Sequence, residues 1–273
     1  MRALFKLVLI VGGLVLAIGC SSSDSDSNND IDLSNNACGV LGLKSLRPKI
    51  FDGSECSEKT SPVVELRVRF NLTEEFVCTG TLITSKEILT AAHCLRGPNN
   101  ENPITATAII GGKSIFAEAY KIHPSYRVET EAVFNDLAIL RLPQRVSITP
   151  VGLLVSSATE AGDVLNIFGY GLDENGNLGT LKSGQILADR VTANHVVTIF
   201  GSDGSNTCTG DSGGPAIRVE DRNGSILTGV VGVTSYGDLE AECKEGDTTF
   251  FTRTDISASV NFIQTYAPGV QLL

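Results

Sequence analysis

From Val63 onward the chain alternates apolar and polar residues with a period of two. In PVVELRVRFNL, Val64, Leu66, Val68 and Phe70 fall on one face, with Glu65, Arg67, Arg69 and Asn71 on the other. That pattern predicts a half-buried strand. GTLITSKEILTAA, TATAII, NDLAILRL, DVLNIFGYG, ILTGVVGVTS and TTFFTRT are further short apolar runs, separated by Gly, Pro, Asn or Ser. Helical spacing is confined to the C-terminal stretch, where Ile256, Val260 and Ile263 recur at i, i+4 and i+7 behind Thr254-Asp255, a candidate cap. Many short strands and one terminal helix predict an all-β barrel or sandwich architecture.

The first residues follow a different pattern. Arg2 and Lys6 precede an apolar run from Leu7 to Ile18, which is too short for a membrane span and reads as an export signal over residues 1–19. The run ends at Ala17-Ile18-Gly19-Cys20, which resembles the lipobox of bacterial lipoprotein signals, with Ala17 where leucine is usual. The resemblance implies a lipid on Cys20 and anchoring at the cell envelope, in the periplasm or at the cell surface; an ordinary cleaved secretion signal is the alternative. Ser21 to Asn36 is Ser-, Asp- and Asn-rich and cannot bury enough apolar surface to order itself, so it reads as a flexible tether.

Composition narrows the picture further. With 28 glycines, 11 Phe, 5 Tyr and no Trp, the chain suits strands joined by tight turns better than a helical bundle. Its net charge of −10 argues against nucleic acid, whose phosphates need clustered Lys and Arg. Export permits disulfides. If Cys20 carries lipid, six of the seven cysteines remain, an even number open to any of fifteen pairings. No C-x-x-C pair or paired histidines appear, so neither a metal nor another cofactor is expected.

Candidate chemistry centres on TCTGDSGGP, Thr207 to Pro215, where three glycines crowd Ser212. Glycine, serine and aspartate are ordinary turn residues. A reactive serine would also need a base within hydrogen-bond reach and a carboxylate to orient that base. The chain has three histidines. His93 sits in LTAAHC between small residues and a cysteine, whereas His123 in KIHPSY and His195 in TANHVV read as surface or turn residues. Asp136 opens the apolar run NDLAILRL, where an unpaired carboxylate would be costly, so it calls for a partner such as His93.

Ala91-Ala92-His93-Cys94, Asn135 to Leu140 and Gly210 to Pro215 resemble, in the same chain order, the three signature segments of the chymotrypsin-like (trypsin-like) serine protease family. The resemblance runs from Ile50 to the C-terminus. It implies two six-stranded antiparallel β-barrels with a C-terminal helix over residues 50–273, and a serine endopeptidase acting on proteins or peptides through an acyl-enzyme. Ser212 would be the nucleophile, His93 the base and Asp136 its orienting carboxylate, with the N–H groups of Gly210 and Ser212 as the oxyanion hole. Ser235 matches the family's serine that bonds the buried aspartate and borders the substrate pocket. The resemblance also pairs Cys78 with Cys94 and Cys208 with Cys243, which leaves Cys38 and Cys56 for each other.

Lys49-Ile50-Phe51-Asp52-Gly53 resembles the family's activation site, although Phe51-Asp52 departs from its usual residues. Residues 20–49 would then be tether and propeptide, and cleavage after Lys49 would free an Ile50 ammonium to pair with Asp211. In the specificity pocket, Asn206 matches the floor position where trypsins carry aspartate, Gly237 matches one wall, and Thr249 the other to within about one residue. This implies a preference for small or medium uncharged residues before the cleaved bond, and hence a separate activating protease. A monomer is expected. A non-catalytic binding module on the same fold, or an esterase using the same triad, are the rival readings.

Overall fold

The computed structural model describes residues 37–43, 45–48, 54–97, 99–130, 132–173, 175–201, 204–237 and 243–273. Cys20, Lys49 and Ile50 lie outside them, as do the export signal and most of the tether. The architecture is mostly β.

The first sheet is built from β1 (Val63–Arg69), β2 (Phe76–Leu82), β3 (Glu87–Thr90), β4 (Thr105–Ile110), β5 (Lys113–Phe116), β6 (Ala119–Ile122) and β7 (Ala138–Arg141). Its order is β5-β4-β1-β2-β3-β7-β6, antiparallel throughout, and it curls as a half-barrel. The alternation read in β1 is present, with Val64, Leu66 and Val68 at most 1% exposed. Glu65 faces the other way and is nonetheless buried, because its carboxylate pairs with Arg67 Nε at 2.8 Å.

The second sheet contains β8 (Val164–Gly169), β9 (Lys182–Val191), β10 (His195–Ile199), β11 (Pro215–Arg222), β12 (Ser225–Gly237) and β13 (Thr248–Arg253). The order β9-β8-β11-β12-β13-β10 closes through a β9–β10 pairing into a six-stranded antiparallel barrel. Closure leaves no unpaired edge in that ring. Ser54–Cys56 pairs alongside β9 and brings the N-terminal segment onto the barrel.

One α-helix follows, α1 (Ser257–Tyr266), whose Phe262 and Ile263 are buried. The cap expected from Thr254-Asp255 does not form: Ile256 occupies the cap position without a side-chain bond. Asp255 is taken by Arg253 in a two-bond ion pair at 2.8 and 2.7 Å, and the Thr254 hydroxyl donates to the Val230 carbonyl. Three disulfides, Cys38–Cys56, Cys78–Cys94 and Cys208–Cys243, staple the chain. Among the described residues no helix is long and apolar enough to cross a membrane.

Candidate active site

The histidine segment leaves the first sheet at the end of β3. Ala91 and Ala92 are fully buried, so only small side chains fit there, and a short 3-10 turn, His93–Leu95, follows at once. The Cys78–Cys94 disulfide ties this turn back to β2. Asp136 arrives from the loop before β7 and is 0% exposed. Its two oxygens hold His93 by two separate bonds: Oδ1 accepts the His93 backbone N–H at 2.9 Å, and Oδ2 lies 2.7 Å from Nδ1. The Ser235 hydroxyl, reaching from β12 in the other sheet, donates to Oδ2 at 2.5 Å. A buried carboxylate is tolerated here because all of its strong acceptor directions are used.

The electrostatics follow from that contact. Burial disfavours the imidazolium, but the Asp136 charge and hydrogen bond outweigh it and hold the His93 pKa above the ordinary 6.5. Burial would likewise raise Asp136, yet His93 and Ser235 keep it below the usual carboxylate value. Asp136 is therefore an anion whose partner is free to gain and lose a proton on Nε2.

The turn that carries Ser212 is held from both sheets: in its own barrel Gly213 donates its N–H to the Thr234 carbonyl of β12 at 2.8 Å. Thr79 on β2 donates its N–H to the Ser212 carbonyl at 2.8 Å and its hydroxyl to the Gly210 carbonyl at 2.9 Å. The same hydroxyl accepts the Tyr170 N–H at 3.1 Å. Gly213 must be glycine: its φ is +82°, and a Cβ would lie 2.1 Å from Thr90 Oγ1 and 2.4 Å from the Thr79 carbonyl. Gly210 has φ +101°, and a Cβ there would lie 2.8 Å from Gly171 Cα. Among the described residues, no internal acceptor takes the N–H of Gly210 or Ser212. His93, Gly210 and Ser212 line one cleft of about 700 Å³, together with Phe70, Phe76 and the Cys78–Cys94 disulfide. Cys78, His93 and Cys94 place ligand-type atoms close together, but the two sulfurs are bonded to each other and offer no thiolate to a metal.

Asp211 points away from the cleft. Its side chain is buried and accepts the N–H of Gly171 at 2.7 Å and of Cys208 at 2.8 Å. Burial pushes its pKa up to about 6, against the opposing pull of those two amides and of the Lys182 charge. Lys182 is itself buried and pairs with Asp173 at 3.2 Å.

A second cavity of about 550 Å³ opens beside Ser212, lined by residues that include Ser235, Gly237, Thr249 and Asp247. Gly237 and Thr249 both line this cavity. Asn206, expected at the floor, lies one layer behind: it is 1% exposed and bonds Thr249 and Asp247 instead of lining the space. Sequence reading overlooked Asp247, Thr79 and Lys182. It also placed His123 and His195 at the surface or in turns, whereas both are buried. His123 packs on Phe262 with its Nδ1 accepting the Ser125 N–H, and His195 bonds the Val133 carbonyl at 2.8 Å, bracing the loop that delivers Asp136.

Comparison with known proteins points the same way. Residues 50–262 match the family described as Trypsin. Brachyurin of Leptuca pugilator is 32% identical over 215 residues, covering 70% of this chain and 87% of that protein. Kallikrein-12 of Homo sapiens is 30% identical, covering 72% and 85%. A trypsin-like protease of Streptomyces glaucescens is 29% identical, covering 59% and 65%. The family match covers both sheets and all three segments that meet at the cleft, and the chain belongs to the trypsin family of serine proteases.

Proposed function

We propose that the protein is a serine endopeptidase using Ser212, His93 and Asp136 as nucleophile, base and orienting carboxylate. The observation that carries this reading is the His93–Asp136 contact at 2.7 Å on the same cleft as Ser212 and the Gly210 and Ser212 amides, which no acceptor among the described residues takes. Ser212 Oγ attacks the scissile carbonyl carbon while its proton passes to His93 Nε2. The resulting oxyanion is received by the N–H groups of Gly210 and Ser212; one such donor is typically worth about 3 kcal/mol in the transition state. Collapse expels the amine, which takes the proton from His93, and water then releases the acid from the acyl-enzyme by the same steps. A fluorophosphonate is expected to label Ser212 stoichiometrically, with peptide hydrolysis and labelling both lost in Ser212→Ala. Labelling elsewhere, or hydrolysis surviving that substitution, would reject the assignment.

The same reading makes the chain a zymogen. An export signal over residues 1–19 delivers it to the cell envelope, Cys20 carries the lipid, residues 20–49 act as tether and propeptide, and the protein works as a monomer. Cleavage after Lys49 frees the Ile50 ammonium, and Asp211 is its partner; this is supported by a buried carboxylate that, among the described residues, accepts hydrogen bonds from backbone amides alone. The Cys38–Cys56 disulfide brackets Lys49 in sequence. The cut enzyme therefore stays on its tether: on gels, the catalytic fragment is expected to separate from the lipidated N-terminus only after reduction, and separation without reductant would overturn the tethering.

A further inference from the structure

Lys182 carries a buried charge that peptide hydrolysis by Ser212, His93 and Asp136 leaves unused. It is 5% exposed, and its Nζ lies 3.2 Å from Asp173 Oδ2 with no further partner among the described residues. Strand register places a second carboxylate before it. Lys182 on β9 stands opposite Gly169 on β8, and residues opposite each other in an antiparallel pair turn their side chains to one face, about 5 Å apart. Gly169 has no side chain, and a Cβ there would overlap Asp211 Oδ1. The Asp211 carboxylate thus fills the place that faces Lys182, and the Lys182 charge favours its ionised form. One buried cation serves two carboxylates.

The stretch that holds Lys182 also holds the Gly210 turn. Gly171 donates its N–H to Asp211 at 2.7 Å, Leu172 donates to the Thr209 carbonyl at 2.9 Å, and Asp173 takes Lys182. On its other edge β9 pairs with Ser54–Cys56, which sets Lys182 opposite Glu55. Two ladder steps of about 5 Å therefore separate Glu55 from Gly169. Ser54 is four residues after Ile50, a span of at most about 14 Å, so an ammonium freed at Ile50 can reach the carboxylate that Lys182 already faces. We propose that Lys182 is a positioning residue for the oxyanion hole of the uncut chain: by sharing its ammonium between Asp173 and Asp211, it gives that form peptide hydrolysis of its own before any cut after Lys49. The proposal rests on the protease reading. Asp173 competes with Asp211 for the cation and so sets how active the uncut chain is. Once Ile50 supplies a second ammonium, Lys182 is left to Asp173 and the dependence on it fades.

The test compares kcat and KM of two forms of the full chain on one peptide, the best in a library for the cut form. The uncut form carries Lys49→Gln; the cut form is the parent cleaved after Lys49 by immobilised trypsin, with Ile50 verified as its new N-terminus. The uncut form is expected to hydrolyse the peptide. Adding Lys182→Gln should lower its kcat on the order of 10-fold with KM little changed, whereas adding Asp173→Asn should raise its kcat about 5-fold. In the cut form the loss from Lys182→Gln should shrink to a few-fold. Asparagine at 173 keeps an oxygen for the Asn175 and Asn177 N–H groups that Asp173 Oδ1 accepts, so the loop retains its shape. Opposite signs at 182 and 173 separate this role from a structural one: an ion pair that merely staples the loop would make both substitutions lower kcat, and that result would overturn the proposal. An inert uncut form beside an active cut form would also overturn it and leave the protease reading standing. Hydrolysis by neither form would reject the protease reading and the proposal with it. The uncut form is unchanged at 182 and 173, so a poorly folded Lys182→Gln does not protect the proposal.

Discussion

Replacing Asp136 by Asn is expected to lower kcat for peptide hydrolysis by about four orders of magnitude with KM little changed. The geometry dictates the mechanism of that loss. Oδ1 must accept the His93 backbone N–H, so the oxygen of an asparagine would stay on that side. The amide –NH₂ would then face Nδ1, where the carboxylate now lies at 2.7 Å. Nδ1 would become an acceptor, the ring proton would move to Nε2, and the Ser212 hydroxyl would meet a donor where it needs a base. Asn is close in volume and the Ser235 hydroxyl can turn to accept from it, so the fold should survive. A circular dichroism melt beside steady-state kinetics separates the two effects. In the parent enzyme, Asp136 holds the His93 pKa above 6.5, so kcat/KM should fall as pH drops through a value on that side. Loss of the carboxylate removes that support and should move the acid limb to lower pH. A drop of only a few-fold would mean that His93 is not the base.

What the sequence disclosed depends on how local each feature is. Ala91 to Cys94, the aspartate before β7 and the nucleophile turn are each contiguous, and their chemistry dictates their neighbours: small residues under His93, an apolar strand after Asp136, glycines around Ser212. Strand alternation in β1 and the spacing of α1 are also local, and both elements are present. The residues overlooked are those whose role is created by tertiary pairing. Thr79 reads as an ordinary strand threonine until β2 is laid against the nucleophile turn, where it serves three backbone groups. Asp247 lies 35 residues beyond Ser212 in sequence and meets the pocket because β12 pairs with β13 in a register that sets Gly237 opposite Thr249. An irregularity between Thr234 and Tyr236 shifts that register, which sequence alone does not reveal. The missed helix cap has a similar cause. Asp255 fits the local rule for a cap, but Arg253, two residues earlier, offers a charged fork that outcompetes a backbone N–H.

Asp211 supplies the other large effect, and it is one of stability. In the single-chain form its pKa is about 6, above the ordinary 3.8, because burial of the charge outweighs the two amides it accepts. The folded state then holds this proton more tightly than the unfolded state does. The stabilisation is complete below pH 3.8 and is lost as pH rises through about 6. A shift of about two units corresponds to roughly 3 kcal/mol of stability lost between pH 4 and pH 7. Other groups titrate over the same range, so the measurement is a difference: urea midpoints of the uncut chain at several pH values, with and without Asp211→Asn. Asparagine cannot serve both the Gly171 and the Cys208 N–H, which imposes a constant loss, but it does not titrate. The two curves should therefore converge as pH rises from 4 to 7, with the parent descending towards the variant. In the cut form the Ile50 ammonium would face this carboxylate, favour its ionised state and lower its pKa. The parent curve should then reverse its slope, gaining on the variant from pH 4 to pH 7, so that activation stabilises the fold most at neutral pH. A parent slope unchanged by cleavage would mean that Asp211 is not the residue that receives the new N-terminus.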